Sequence, residues 1–147
     1  MKIKDIMTKE VKTISPDMNA KEALRLLEQM EISGLPVVDQ SGKLVGMFTE
    51  KDFLSYVLPG YIQTVGKFVY ENNPKAARKK VAQLADMQVA QLMRKDVVTV
   101  NEDAALCEVA RIMLTQKARR VPVLDSAGKM VGIAARCDVV KAMAREE

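Results

Sequence analysis

The first pairing in this sequence that could do chemistry is a hydroxyl followed three residues later by a carboxylate, in GMFTEKD, Gly46 to Asp52. At a strand-to-helix turn Thr49 can accept a backbone N–H as an N-cap, and Asp52 stands where the helix dipole favours an acid. The stretch returns 86 positions later as GIAARCD, Gly132 to Asp138, with Ala135 in place of the Thr and with the Gly and Asp kept. Were capping the whole purpose, Ala135 would cost about 1 kcal/mol and leave Asp138 with half a box. The retained part is the carboxylate, an acceptor for ligand hydroxyls. Arg119 and Arg120 add two guanidinium groups that can take a phosphate in bidentate fashion. They can equally be a surface pair before a strand, and because side chains alternate along a strand at most one points inward.

Other chemistries are excluded or unsupported. The 147 residues contain no histidine, which removes His-based zinc sites and His general bases. Cys107 and Cys137 are too few and too scattered to staple a domain, so they read as free thiols in a reducing compartment. Cys137 adjoins Asp138, but nothing nearby in sequence makes it a nucleophile. No nucleophile–base pair, metal cluster or Walker-type loop is present, so the chain does not read as an enzyme. The ten methionines, Met30 and Met113 among them, are most simply core fillers.

The groups that could act must be positioned by a fold, and 48% apolar residues are enough to build one. No apolar run approaches the roughly 20 residues that span a bilayer, and MKIKDIMTKE has no long apolar segment after its charges. The expected compartment is the cytoplasm, with no membrane partner. Of the net charge of +4, much lies in KAARKK, Lys75 to Lys80. That segment reads as a solvated helix face rather than a nucleic-acid surface, since no aromatic side chains are interleaved with its charges.

An internal repeat governs the organisation. Residues 5–53 align without a gap on 91–139 with 15 identities in 49 positions, including Met7/Met93, Asp17/Asp103, Pro36-Val37/Pro122-Val123, Gly42-Lys43/Gly128-Lys129 and Asp52/Asp138. Each copy opens on a short extended piece, VKTIS or VVTVN. A helix follows, with apolar residues at helical spacing: Ala20, Ala23, Leu24, Leu27 and Met30, or Leu106, Val109, Ala110 and Met113. Start signals for these helices are Ser15-Pro16-Asp17 and Asn101-Glu102-Asp103. Two strands joined at Ser-Gly or Ala-Gly come next, then a second helix beginning near Thr49 or Ala135. Gly46 and Gly132 are placed at a strand end, where they either keep a cleft open or serve a turn.

The expected fold is therefore mixed α/β (α+β): two β-α-β-β-α units that pack face to face, because one alone has too little core. The organisation is 1–58, first domain; 59–88, helical insert; 89–147, second domain. Pro59-Gly60 and Asn72-Asn73-Pro74 mark breaks in the stretch between the matched copies, residues 54–88, which carries all three tyrosines and is expected to pack on the repeats or on a second subunit.

The IMTKEV opening, the SGLPVVD strand, the GKLVG hairpin and the final G-x-x-T-x-x-D together resemble a cystathionine β-synthase (CBS) domain, here as a tandem pair covering about two-thirds of the chain. The resemblance implies a pseudo-twofold module, often dimeric, that acts as a regulatory sensor of adenosine-containing ligands bound between the copies. It implies that Asp takes the two ribose hydroxyls, with a helix N-terminus and a Thr hydroxyl facing phosphate. Carried over residue by residue, one cleft pairs Thr49 and Asp52 with Thr99, Val100, Ala118, Arg119 and Arg120. The other pairs Ala135, Arg136 and Asp138 with Thr8, Thr13, Ile32, Ser33 and Gly34, where Gly34 leaves the backbone open and Arg136 stands in for the lost hydroxyl. The first cleft keeps the complete turn and is expected to be the better site.

The expected ligand is AMP, ADP or ATP, with no obligatory cofactor. S-adenosylmethionine or a dinucleotide fits the same ribose-reading Asp, and an interaction scaffold with vestigial clefts remains a separate reading. Because the chain ends eight residues after the matched segment, its output is expected to pass through an unidentified protein partner or through a homodimer.

Overall fold

The computed structural model describes residues 1–58 and 74–145. The expected break at Pro59-Gly60 and the Asn72-Asn73 turn lie outside the described residues. The chain is α+β, and each repeat has its own small sheet and helices. In the first copy α1 (Ala20–Met30) precedes a hairpin of β1 (Gly34–Val38) and β2 (Leu44–Thr49), and α2 (Glu50–Val57) follows. The insert contributes α3 (Pro74–Gln83) and a 3-10 turn at Leu84–Asp86, and α4 (Val89–Leu92) comes next. The second copy runs β3 (Val100–Asn101), α5 (Leu106–Thr115), β4 (Arg120–Leu124), β5 (Met130–Ala135) and α6 (Arg136–Arg145). Among the described residues no helix is long and apolar enough to cross a membrane.

The opening extended pieces are shorter than their sequences suggest. β3 pairs in parallel with β4, whereas the first copy keeps a single parallel bridge, Ile14 to Val37. The hairpins turn as expected: Gly42 and Gly128 have φ of +87° and +84°, a region that glycine enters without a Cβ clash. Asp39 and Asp125 accept the backbone N–H groups of Ser41 and Lys43, and of Ala127 and Lys129. These bonds replace ladder partners that a tight turn cannot supply.

Two compact units form, and they cut across the linear order of the repeats. One comprises Met1–Lys12, Val38–Leu44 and Asp96–Glu147; the other comprises Thr13–Val37 and Val45–Lys95. The segment that leads into each copy thus belongs with the body of the other. In the unit built on the second copy, Ile3 is buried with Val109, Met113, Val121, Val123 and Val139. In the unit built on the first, Val89 is buried with Ala23, Leu27, Leu35, Val37 and Phe48. Ile3 and Val89 are the same repeat position.

The glycines shared by the two copies are explained by these leads. Gly46 and Gly132 lie inside β2 and β5, not at a strand end, so neither serves a turn. A Cβ on Gly46 would stand 2.8 Å from the Arg94 carbonyl oxygen and from Met93 Sδ; one on Gly132 would stand 2.6 Å from Met7 Sδ and 2.8 Å from the Thr8 carbonyl oxygen. Each lead hydrogen-bonds the strand at that level, Arg94 with Met47 and Thr8 with Ile133, through reciprocal N–H···O bonds of 2.8 to 2.9 Å. Absent side chains at Gly46 and Gly132 let the backbones approach.

Three further expectations are corrected. The N-cap of α1 is Asn19, whose Oδ1 accepts from the N–H groups of Lys21 and Glu22 and whose amide donates to the Ala85 carbonyl at 2.7 Å. Ser15 instead accepts from the Asp17 N–H in the preceding turn. In the second copy α5 starts after Ala105, with no side-chain cap; Asn101 accepts from the Asp103 N–H, and Asp103 pairs with Lys4 at 3.0 Å. Met113 fills the core as expected, but Met30 is 42% exposed at the end of α1. The insert does pack on the first copy: α3 lies against α2, with Lys80 Nζ 5.1 Å from the Tyr56 ring centroid and Tyr56 donating to Gln83.

Candidate functional site

Each copy presents a strand end that turns directly into a helix. In the first copy the full capping box forms: Thr49 Oγ1 accepts from the Asp52 N–H at 3.2 Å, and Asp52 Oδ2 accepts from the Thr49 N–H at 2.9 Å and from its hydroxyl at 2.8 Å. One carboxylate oxygen of this half-buried Asp52 is thereby engaged, and Oδ1 has no hydrogen-bond partner among the described residues. Glu50, the first helical residue, donates its N–H to the Ser33 carbonyl at 2.9 Å.

The second copy reproduces the frame without the box. Arg136 N–H donates to the Arg119 carbonyl at 2.8 Å, the bond that corresponds to Glu50 with Ser33. The Arg136 guanidinium also reaches the Ala118 carbonyl at 3.3 Å. Asp138 is half-buried, and among the described residues its carboxylate has one partner, the Cys137 thiol at 3.9 Å. The second carboxylate is thus the less committed of the two.

Why the Thr is missing follows from its neighbour. A Cβ on Gly34 would stand 2.8 Å from the Thr49 methyl. The corresponding residues are Arg120 and Ala135, which face each other in the β4–β5 ladder. Where position 34 has no side chain, the hydroxyl residue fits. Where position 120 carries an arginine, its neighbour is reduced to Ala. Gly34 therefore has a packing reason to be glycine, in addition to leaving the backbone open.

The remaining expected site residues are distributed by unit. Thr13, Ile32, Ser33, Gly34, Thr49 and Asp52 belong to the first-copy unit, and Ser33 and Gly34 meet the Thr49–Glu50 turn directly. Thr8, Thr99, Val100, Ala118, Arg119, Arg120, Ala135, Arg136 and Asp138 belong to the second-copy unit. There Ala118, Arg119 and Arg120 adjoin Ala135 and Arg136, so residues assigned to different clefts by sequence meet at one strand end. Arg119 and Arg120 are both exposed, as is Thr8, whose main chain pairs with Ile133. Val100 is only 5% exposed and packs in its core, leaving its main chain as the polar part it brings. Among the described residues no cluster of His, Cys, Asp and Glu has the makings of a metal site.

Sequence reasoning missed Asn19 as the cap of α1, although its spacing to Glu22 was an available signal. It also left unread the link between Met7/Met93 and Gly132/Gly46, four residues that recur at the same spacing because each methionine seats on a glycine.

Comparison with known proteins points one way. A family model for the CBS domain matches twice, at residues 3–59 and 89–145. The chloroplastic CBS domain-containing protein CBSX1 of Arabidopsis thaliana is 34% identical over 146 residues, 94% of this chain and 62% of that protein. An inosine-5'-monophosphate dehydrogenase of Methanocaldococcus jannaschii is 31% identical over 140 residues, which span 95% of this chain and 23% of the dehydrogenase. The crystal structure of CBSX2 in complex with AMP superposes with a TM-score of 0.74 at 28% identity, covering 98% of this chain and 96% of that one. The CBS domain pair of protein MJ0100, in complex with 5'-methylthioadenosine and S-adenosyl-L-methionine, gives 0.68 at 26%, covering 100% and 98%.

Proposed function

Since the chain belongs to the CBS-domain family and carries the domain as a tandem pair, we propose that it is a regulatory module that senses adenosine-containing nucleotides, AMP, ADP or ATP. The observation that carries this reading is the carboxylate kept at the same strand-to-helix turn in both copies, although only Asp52 takes part in a capping box. A carboxylate oxygen without a protein partner accepts from a ribose hydroxyl at little rearrangement, and Asp138 has both oxygens nearly uncommitted. Asp52 and Asp138 read ribose; the exposed guanidinium groups of Arg119, Arg120 and Arg136 take phosphate, and Thr13 and Thr99 offer hydroxyls from the opening segments. The AMP bound by CBSX2 supports this ligand class.

A second ligand is favoured by one observation: the MJ0100 pair was solved with S-adenosylmethionine and methylthioadenosine, which share the adenosine and lack the phosphate. Phosphate-directed arginines separate the two. The module has no catalytic role of its own, works in the cytoplasm as a homodimer, and passes its signal to a protein partner by favouring one arrangement of its copies. Isothermal titration of nucleotide-stripped protein with AMP, ATP and S-adenosylmethionine tests this reading. Saturable heat with AMP or ATP supports it, saturation with S-adenosylmethionine alone transfers the site to that ligand, and a folded protein that gives no heat with any refutes it.

A further inference from the structure

We propose that Met7 and Met93 are a matched pair of oxidation sites, at which conversion of the thioether to the sulfoxide by a hydroperoxide undocks the lead of each copy from the strand it covers. The two residues occupy one repeat position. Met7 Sδ lies 2.6 Å from where a Cβ of Gly132 would stand, and Met93 Sδ lies 2.8 Å from that of Gly46, so each sulfur takes the space that the missing side chain leaves. The lead's own carbonyl oxygen, of Thr8 or of Arg94, lies 2.8 Å from the same point. Both methionines are half-buried against the core of their unit, within reach of a small peroxide, whereas Met113 is shielded at 1% exposure. Met30 and Met143, each 42% exposed, are reached more easily, but neither seats on Gly46 or Gly132.

The step needs only the thioether and the peroxide. A sulfur lone pair attacks one peroxide oxygen, the O–O bond breaks as the S–O bond forms, and the proton passes to the departing oxygen, which leaves as water or an alcohol. Sulfur loses two electrons and the peroxide gains them.

The product no longer fits its contact. A thioether is apolar and lies against glycine at close range, whereas the sulfoxide carries an added oxygen and is polar. Beside it stands a main-chain carbonyl, which is also an acceptor. The N–H groups at that level are already committed: Thr8 and Ile133 exchange bonds of 2.9 Å, and Met47 and Arg94 exchange bonds of 2.8 and 2.9 Å. The new oxygen therefore crowds the glycine, stands unpaired against a carbonyl, or draws an N–H out of the ladder, and each of these loosens the lead. Ile3 and Val89, buried earlier in the same leads, keep the segment anchored so that it redocks once the sulfur is reduced.

Amide exchange of the full chain, read by mass spectrometry before and after hydrogen peroxide with the sulfoxides mapped on the same peptides, tests the proposal. When Met7 and Met93 carry sulfoxide, exchange at Thr8, Ile133, Met47 and Arg94 should quicken on the order of tenfold. The two methionine sulfoxide reductases, one for each epimer, should restore protection in the wild-type chain. Met7→Leu should keep Thr8 and Ile133 protected through the same treatment while Met47 and Arg94 still open, and Met93→Leu should do the reverse. Unchanged exchange at full conversion of both methionines overturns the proposal, as does opening that the reductases leave in place, or peroxide-induced opening in a Met7→Leu/Met93→Leu chain that was protected beforehand. Peroxide that converts Met30 and Met143 and leaves Met7 and Met93 as thioethers also overturns it, because the sulfurs are then out of reach.

Discussion

The two copies solve the same turn differently. In the first, Thr49 and Asp52 close a reciprocal box beside a glycine; in the second, an alanine faces an arginine and the acid stands nearly alone. The same contrast recurs at the other helix start, where Asn19 caps α1 and Ala105 caps nothing. Main-chain bonds are common to both copies: the first N–H of the second helix goes to Ser33 or Arg119, and that of the first helix goes to Met87 or Met1. At these helix starts the frame is therefore built by backbone and shared by both copies, and the Asn19 and Thr49 caps are additions made in one. Against that background the Asp kept in both copies is conspicuous, since in the second it caps no helix.

The shared frame breaks most easily at the shared glycines. Gly46→Val and Gly132→Val should each destabilise by about 1–3 kcal/mol, because the new side chain meets a backbone oxygen and a methionine sulfur that cannot both withdraw. Urea unfolding monitored by circular dichroism reads the loss, and similar losses in the two copies would confirm that both leads dock the same way. A Gly46→Val protein as stable as wild type would mean that Met93 and Arg94 do not press on this position.

A smaller effect separates the side-chain additions. Thr49→Ala should lose about 1 kcal/mol with its box. Ala135→Thr should gain nothing, since the Arg120 side chain stands beside it, whereas Ala135→Thr with Arg120→Gly rebuilds the first-copy pair and should recover about 0.5–1 kcal/mol relative to the sum of the singles. Additive stabilities in that cycle would mean that the lost Thr and the gained Arg are unrelated.

The smallest expected difference is in acid. Lys4 donates to Asp103 and holds its carboxyl below the ordinary aspartate range, while the Lys4 ammonium is raised by the same bond. A depressed carboxyl contributes above its unfolded pKa and loses that contribution as pH falls through the folded value. The positions that correspond to Lys4 and Asp103 are Ala90 and Asp17, so the other lead has no such pair. Lys4→Met should flatten the acid end of the stability curve slightly, measured by thermal unfolding between neutral pH and the acid limit. An unchanged acid limb would show that the exposed pair contributes nothing.

Much of this was legible in the chain. The gapless repeat, the helical spacing of Ala23, Leu27, Val109 and Met113, and the Asp-x-x-Gly-Lys turns fix each copy's elements because burial period and turn chemistry are local. The capping box of Thr49 was legible for the same reason. What escaped was long-range: that residues 1–12 join the unit of the second copy, that Gly46 and Gly132 receive Met93 and Met7, and that Gly34 is a counterpart to the Thr49 methyl. A sequence pattern records that these positions recur but not which segment lies over which strand. Met30 was read as core from its helical phase, yet it is the last residue of α1 and is exposed.

If a ribose is what keeps the carboxylate in both copies, loss of either acid must weaken nucleotide binding. Isothermal titration of nucleotide-stripped Asp52→Ala and Asp138→Ala against wild type, with AMP and ATP, tests it most directly. Each variant should stay folded and lose saturable heat, with Asp52→Ala also forfeiting its helix cap. Wild-type affinity and stoichiometry in both variants would contradict it and leave the two acids as parts of the scaffold.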